Sequence, residues 1–310
     1  MEEFDAVAPF VILRVASQPL ARHASRMIPR LAKQVRWFAP KRRWMQFSLG
    51  TMLVLLTALC IWLAVVVNRA RCEREGLAAA ERLRAQVRFD YQIEYRKRPK
   101  NDVLYLRREP PGPRWLREII GDEYFREAHS VGFNGSHGSR VTDADLEQIV
   151  KLKRLTKLQL HVAGTSELSN GGLQHLAALH DLRVLTFEGV RLDPRGLDCL
   201  RKLPQLEYLN LRNTPVDDEA LVYVGELKEL YTLVLDGTRV TDKGLVRLAR
   251  LTNLNEWLGL ADTDITDAGL AHLMGLTKLE HLNLSRTKVT AAGVAKLQQS
   301  LPNVEISFGP

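Results

Sequence analysis

The sequence predicts an α/β solenoid of short strand–turn–helix repeats preceded by one N-terminal transmembrane helix. Three observations carry this. Residues 47–67 hold no charge, leucines recur every 24 to 27 residues from Phe125 onward, and a hydrogen-bonding residue returns to one slot in seven successive repeats. With 310 residues, 45% of them hydrophobic and 26% charged, the chain can bury a sizeable core and is too polar for a polytopic membrane protein.

The net charge of +8 is unevenly placed. Residues 1–67 carry nine basic and three acidic side chains, residues 68–100 ten and five, and residues 101–310 25 and 28. The basic excess therefore flanks the apolar run, and no nucleic-acid partner is expected of the repeats. Three widely spaced cysteines (Cys60, Cys72 and Cys199) build neither a disulfide framework nor a clustered metal site.

Residues 47–67 read FSLGTMLVLLTALCIWLAVVV, against about 20 residues needed to span a hydrocarbon core. Lys41, Arg42 and Arg43 precede the run, Arg69, Arg71 and Arg74 follow it, and Trp44 and Trp62 lie near its ends, where indole rings favour the headgroup zone. The 46 residues before it exceed a signal peptide's short basic start. Leu59 before Cys60 does not fit a lipoprotein site. Residues 32–46 supply five Lys or Arg and residues 68–82 four, a bias that puts the N-terminus inside and the repeats outside the cytoplasm. The tail, residues 1–46, reads as an amphipathic segment on anionic lipid, as a disordered basic tail, or as untranslated sequence upstream of Met45. The span anchors the chain in the lipid bilayer on this reading.

Residues 68–88 are rich in Ala, Glu and Arg and are expected to be a juxtamembrane helix with an apolar stripe of Leu77, Ala80, Leu83 and Val87. Phe89, Tyr91, Ile93 and Tyr95 alternate with polar residues, which predicts a strand; a turn at Pro99 to Asp102 and the run Val103 to Leu106 complete a hairpin. Residues 89–124 are read as a stem and N-terminal cap, since an end repeat has a neighbour on one side only.

Repeat units start at Phe125, Leu152, Leu179, Leu203, Leu227, Leu251, Leu276 and Leu301. In the fifth, Leu233 and Leu235 share one face of a strand, while Leu245 and Leu248 share one face of a helical turn. Thr142, Ser169, Asp193, Asp217, Thr241, Thr266 and Thr290 fill one slot, each able to accept from free helix N–H groups as an N-cap. Pro194 follows Asp193, where a helix start tolerates proline.

This pattern over residues 125–310 resembles the leucine-rich repeat family, close to its 24-to-27-residue subclass of LxxLxLxxCxxIT followed by xxGLxxL. Thr214, Thr238, Thr263 and Thr287 stand where that subclass closes the turn with Cys or Asn, as membrane-anchored bacterial leucine-rich repeat proteins often do. The resemblance implies a parallel sheet on the concave side, helices on the convex side, and binding of other proteins. Two departures stand out: the first two units have three extra residues, and an insertion at Trp257 suggests a bulge.

No catalytic motif is present, so neither an enzyme nor a cofactor or metal is expected. The glycine-rich loop at residues 133–140 reads as an elongated repeat loop. Three columns of strand residues point to the concave face. Lys157, Tyr208, Trp257 and His281 lie in the first, Gln159, Asn210 and Asn283 in the second, and Glu188, Arg212 and Asp236 in the third. Aromatic and charged side chains mix there as they do at interface anchors, so Lys157, Glu188, Tyr208, Arg212, Asp236, Trp257 and His281 are the candidate partner-binding residues for an unidentified protein or envelope ligand. The alternatives are that these residues serve β propensity alone and that the protein is purely structural in the cell envelope.

Overall fold

A computed structural model of the chain describes residues 49–89, 94–95, 103–104, 114–120, 128–134, 140–161 and 167–309. The basic tail, the first residues of the expected span, the hairpin turn, the proline run and residues 135–139 of the glycine-rich loop lie outside them.

Helix α1 (Leu49–Arg82) is continuous over 34 residues, about 50 Å at 1.5 Å per residue. Its apolar window is wholly exposed, and among the described residues this is the one helix long and apolar enough to cross a membrane. Its last turns behave differently. Ala79 and Ala80 are buried, and Leu77 and Leu83 pack against the core. Gly76 lies so close to the first repeat that a Cβ there would stand 2.8 Å from Leu152 and 3.1 Å from the Gln148 carbonyl. Two ion pairs tie down this end: Lys151 Nζ to Glu75 at 2.7 Å and Arg82 to Asp145 at 3.2 Å.

The helix expected to run to Arg88 stops at Arg82. Arg84 takes a left-handed conformation (φ 54°), the Ala85 N–H donates to the Ala80 carbonyl and the Arg84 N–H to Glu81. These are the paired bonds of a Schellman cap, built without the glycine that usually announces one. The chain turns at once into β1 (Gln86–Phe89), which starts before the expected strand. β2 (Glu94–Tyr95) and β3 (Val103–Leu104) pair antiparallel, as the alternation predicted for a hairpin. A short helix, α2 (Arg114–Ile120), follows the prolines.

The repeats supply β4 (Ala128–Asn134), β5 (Lys157–His161), β6 (Glu167–Leu168), β7 (Val184–Glu188), β8 (Arg191–Leu192), β9 (Tyr208–Asn210), β10 (Thr232–Val234), β11 (Trp257–Gly259), β12 (His281–Ser285) and β13 (Glu305–Gly309). Among the described residues one sheet holds nine strands in the order β1-β4-β5-β7-β9-β10-β11-β12-β13. β1 is antiparallel to β4 and covers that end; the strands from β4 to β13 are parallel. β6 and β8 form a small second ladder after the turns.

The core is a stack of leucines. Leu158, Leu185, Leu209, Leu233, Leu258 and Leu282 pair across successive strands and are buried. The next inward position holds Leu160, Phe187, Leu211, Leu235, Leu260 and Leu284. Truncating one such leucine to alanine costs about 2–5 kcal/mol, because neighbours on both sides keep the hole from collapsing.

The turns after the strands explain the threonines. Thr214, Thr238, Thr263 and Thr287 each donate the hydroxyl to the carbonyl three residues back, at 2.5–2.7 Å. Gly189, Asn213, Gly237, Asp262 and Arg286, one per repeat, take the left-handed conformation just after the strand. Each sends its N–H to a carbonyl of the next repeat.

Six of the seven slot residues are N-caps of the helix that follows, and the expectation fails at Asp217, which bonds a turn ahead of the helix Leu221–Val224, whose N-cap is Ala220. Thr142 bonds Asp145, Ser169 bonds Gly172, Asp193 bonds Arg195, Asp217 bonds Ala220, Thr241 bonds Lys243, Thr266 bonds Ala268 and Thr290 bonds Gly293. Four carboxylates add a clamp between repeats. Asp143, Asp218, Asp242 and Asp267 each accept both the N–H and the hydroxyl of the next repeat's Ser169, Thr241, Thr266 and Thr290. No such clamp is found among the described residues at Asp193 and Asp217, because the position that supplies the carboxylate holds Asn170 and Pro194 in the repeats before them.

The extra residue near Trp257 is absorbed one step earlier than expected. The Asn255 and Glu256 N–H groups both reach the Tyr231 carbonyl, and the Asn255 and Glu256 carbonyls then serve Glu280 and His281 separately. Trp257 itself stays in register between Thr232 and His281.

Candidate protein-binding face

Sheet register sets the candidate residues in rows. The first column runs Lys157, Val184, Tyr208, Thr232, Trp257 and His281 through direct strand pairs, and it is extended by Arg88 and Ser130 at one end and Glu305 at the other. His161 and Glu188 open the third column, bonded at 2.9 Å from Nδ1 to Oε2. Arg212 is exposed beyond them.

The middle column is more closed than the alternation suggests. Thr186, Asn210 and Val234 are buried. Asn210 spends its side-chain oxygen on the Arg212 N–H (2.9 Å), and Asn283 does the same for Ser285 (3.1 Å). The flanking columns are mixed, with Tyr208, Trp257 and His281 half-buried and Arg212 exposed, but Thr232, Asp236 and Ala261 buried.

The seven candidates separate by environment. Lys157 is half-buried, and desolvation together with the neighbouring Arg88 charge pulls its ammonium below the usual lysine range. Tyr208 is half-buried; desolvation pushes its phenol up, opposed by an Asn210 hydrogen bond and reinforced by the Glu188 and Glu256 charges. Trp257 and His281 are half-buried, with ring centroids 5.6 Å apart and planes inclined at 37°. His281 Nδ1 also lies 3.1 Å from a Glu305 carboxylate oxygen. Asp236 differs from the rest. It is 6% exposed, and its Oδ1 accepts the Ala261 N–H at 2.9 Å. Burial raises its carboxyl above the usual range despite that bond and the nearby Arg212. Its visible work is to hold the next repeat's turn.

Gly259 also shapes this face, although sequence reasoning passed over it. A Cβ there would stand 2.7 Å from Asp236 Oδ1 and 3.1 Å from the Trp257 indole nitrogen. A glycine at an outward strand position was the available signal, since it marks close approach of a neighbouring group.

The leucine-rich repeat family profile matches residues 275–297, which contain β12 and the turn and helix start after it. That match falls on one of the stacked units whose leucines, threonines and caps repeat through the sheet. The repeats are leucine-rich repeats. The leucine-rich repeat domain is similar in fold to an internalin C2 from Listeria monocytogenes, at 19% identity and a TM-score of 0.42, over 58% of this chain and 80% of that one. It is also similar to a second internalin of that organism (19% identity, TM-score 0.33, 55% of this chain and 69% of that one). A third similar structure is the ectodomain of the plant membrane receptor kinase GASSHO1/SCHENGEN3 from Arabidopsis thaliana, at 20% identity and a TM-score of 0.35, over 52% of this chain and 22% of that one. No curated protein sequence matches the chain. A leucine-rich repeat domain is a scaffold for protein interaction.

Proposed function

We propose that the protein is a single-pass, membrane-anchored binding protein that presents its leucine-rich repeats outside the cytoplasm and takes a protein ligand on the concave face. The observation that carries this is the first column. It sets Tyr208, Trp257 and His281 in one row of the sheet, each half-buried, so that broad rings are held without being covered. Rigid aromatic groups that lose little entropy on contact are the usual anchors of an interface. The exposed apolar window of α1 supports the anchor. The reading assigns no catalysis and no cofactor. Substituting Trp257 and Arg212 by alanine and comparing the protein cross-linked in membranes tests it. Loss of the cross-linked species supports the reading, and unchanged recovery overturns it.

A further inference from the structure

The two ends of the first column differ in charge. Arg88 and Lys157 stand at one end, whereas the strands carrying Trp257 and His281 are each entered through a glutamate, Glu256 and Glu280, and the column closes on Glu305. Glu256 and Glu280 are exposed and sit on neighbouring strands, whose backbones run about 4.8 Å apart. Among the described residues neither has a basic partner. Glu207, in the equivalent position two repeats before Glu256, is instead paired with Arg183 at 2.6 Å. Glu256 does accept the Thr232 hydroxyl at 2.8 Å, which holds its carboxylate toward the sheet. Its charge, with that of Glu188, reaches the Tyr208 phenol. Two exposed carboxylates with no basic partner, on residues that enter adjacent strands beside Trp257, favour a cation over a neutral or acidic group there.

We propose that this end of the concave face recognises an extended basic segment of a protein, one Lys or Arg side chain lying on Trp257 between the Glu256 and Glu280 carboxylates. The inference rests on the concave-face reading above and adds the chemistry of the partner. An extended segment fits because a sheet face offers contacts at regular strand spacing. The charge gradient along the column sets its direction, with basic residues toward Glu305 and away from Lys157 and Arg88.

The test uses the full chain in phosphatidylcholine nanodiscs, whose neutral surface does not itself attract cations. The probe is a short fluorescein-labelled peptide alternating Lys and Thr, followed by anisotropy, with its Glu/Thr counterpart as control. The basic peptide is expected to bind and the acidic one not to bind. Trp257→Ala, and Glu256→Gln with Glu280→Gln, each weaken binding about tenfold or more. Glu147→Gln, on the helix side, leaves it unchanged. Equal binding of both peptides, or binding indifferent to the Trp257 and glutamate variants, overturns the proposal. Absence of peptide binding also overturns it; if a cellular protein still cross-links at Trp257, the concave-face reading survives alone, and if none does, both fall.

Discussion

The Asp242 carboxylate holds Thr266, 24 residues further along the chain, by two bonds at once: Oδ1 accepts the Thr266 N–H at 2.8 Å and Oδ2 the hydroxyl at 2.6 Å. Thr266 meanwhile caps its own helix by accepting from Ala268. A single Thr-Asp pair thus joins the helix start of one repeat to that of the next. Asp242→Ala and Thr266→Ala are each expected to lower stability by about 1–2 kcal/mol. The double variant loses less than their sum, with a coupling of about 0.5–1 kcal/mol, in a denaturant-unfolding cycle. Simple additivity would mean that the clamp carries no energy.

The glycine of each clamp has a steric reason. A Cβ on Gly269 would lie 2.2 Å from Asp242 Oδ1, and one on Gly293 2.1 Å from Asp267 Oδ1. Gly269→Ala gains helix propensity and cuts unfolded-state entropy, yet is expected to destabilise, by about 1–3 kcal/mol, because the carboxylate must leave its bonds. Repeating the substitution in an Asp242→Ala background should remove most of the cost. Equal costs in both backgrounds would place the strain elsewhere.

Asp236 and Asp267 respond to acid in opposite senses. Hydrogen bonds from Thr290 hold Asp267 below the usual carboxylate range, so its contribution is present above pH 3.8 and is lost as pH falls through the lowered value. Burial raises Asp236, so its charge destabilises the fold at neutral pH and that penalty fades as pH falls through the raised value. Asp236→Asn keeps an acceptor for the Ala261 N–H and removes the desolvated charge. Its Tm should exceed that of the wild type at pH 7, with the gap closing toward pH 3.8. A lower Tm at pH 7 would show that the charge itself is needed.

The three cysteines give a topology reading. Cys60 is exposed within the apolar stretch of α1, Cys72 is half-buried beyond it, and Cys199 is buried with its thiol pushed up to about 12. A membrane-impermeant maleimide applied to intact cells should therefore modify one site, and Cys72→Ser should abolish the signal. Labelling only after permeabilisation would put the repeats in the cytoplasm.

Much of this arrangement is legible in the leucines and caps. Leu233 and Leu235 fix strand faces, and the slot from Thr142 to Thr290 marks six helix starts, missing the one after Asp217, because strand and helix periods leave distinct spacings. The three sheet columns follow from that alignment alone. What escaped depends on partners remote in sequence or on missing signals. The stop of α1 at Arg82 uses a left-handed Arg84 where a glycine would have been read. Alternation at residues 89–95 reports a strand without naming its neighbour, and the strand that caps β4 lies just before it. Asp236 falls at an outward position by periodicity, which shows direction and not burial, and its carboxylate is buried against the Ala261 N–H of the next repeat. Glu256 and Glu280 were overlooked since they precede the strands whose outward residues were aligned.

Photo-cross-linking from single positions tests the concave-face account most directly. A benzoylphenylalanine replaces Tyr208 or Trp257 on the sheet and, in parallel, His272 or Val246 on the exposed helix side, in the full chain in native membranes. The account predicts one discrete cross-linked protein from the two sheet positions and none from the helix positions. Cross-links from His272 or Val246, with Tyr208 and Trp257 silent, would contradict it.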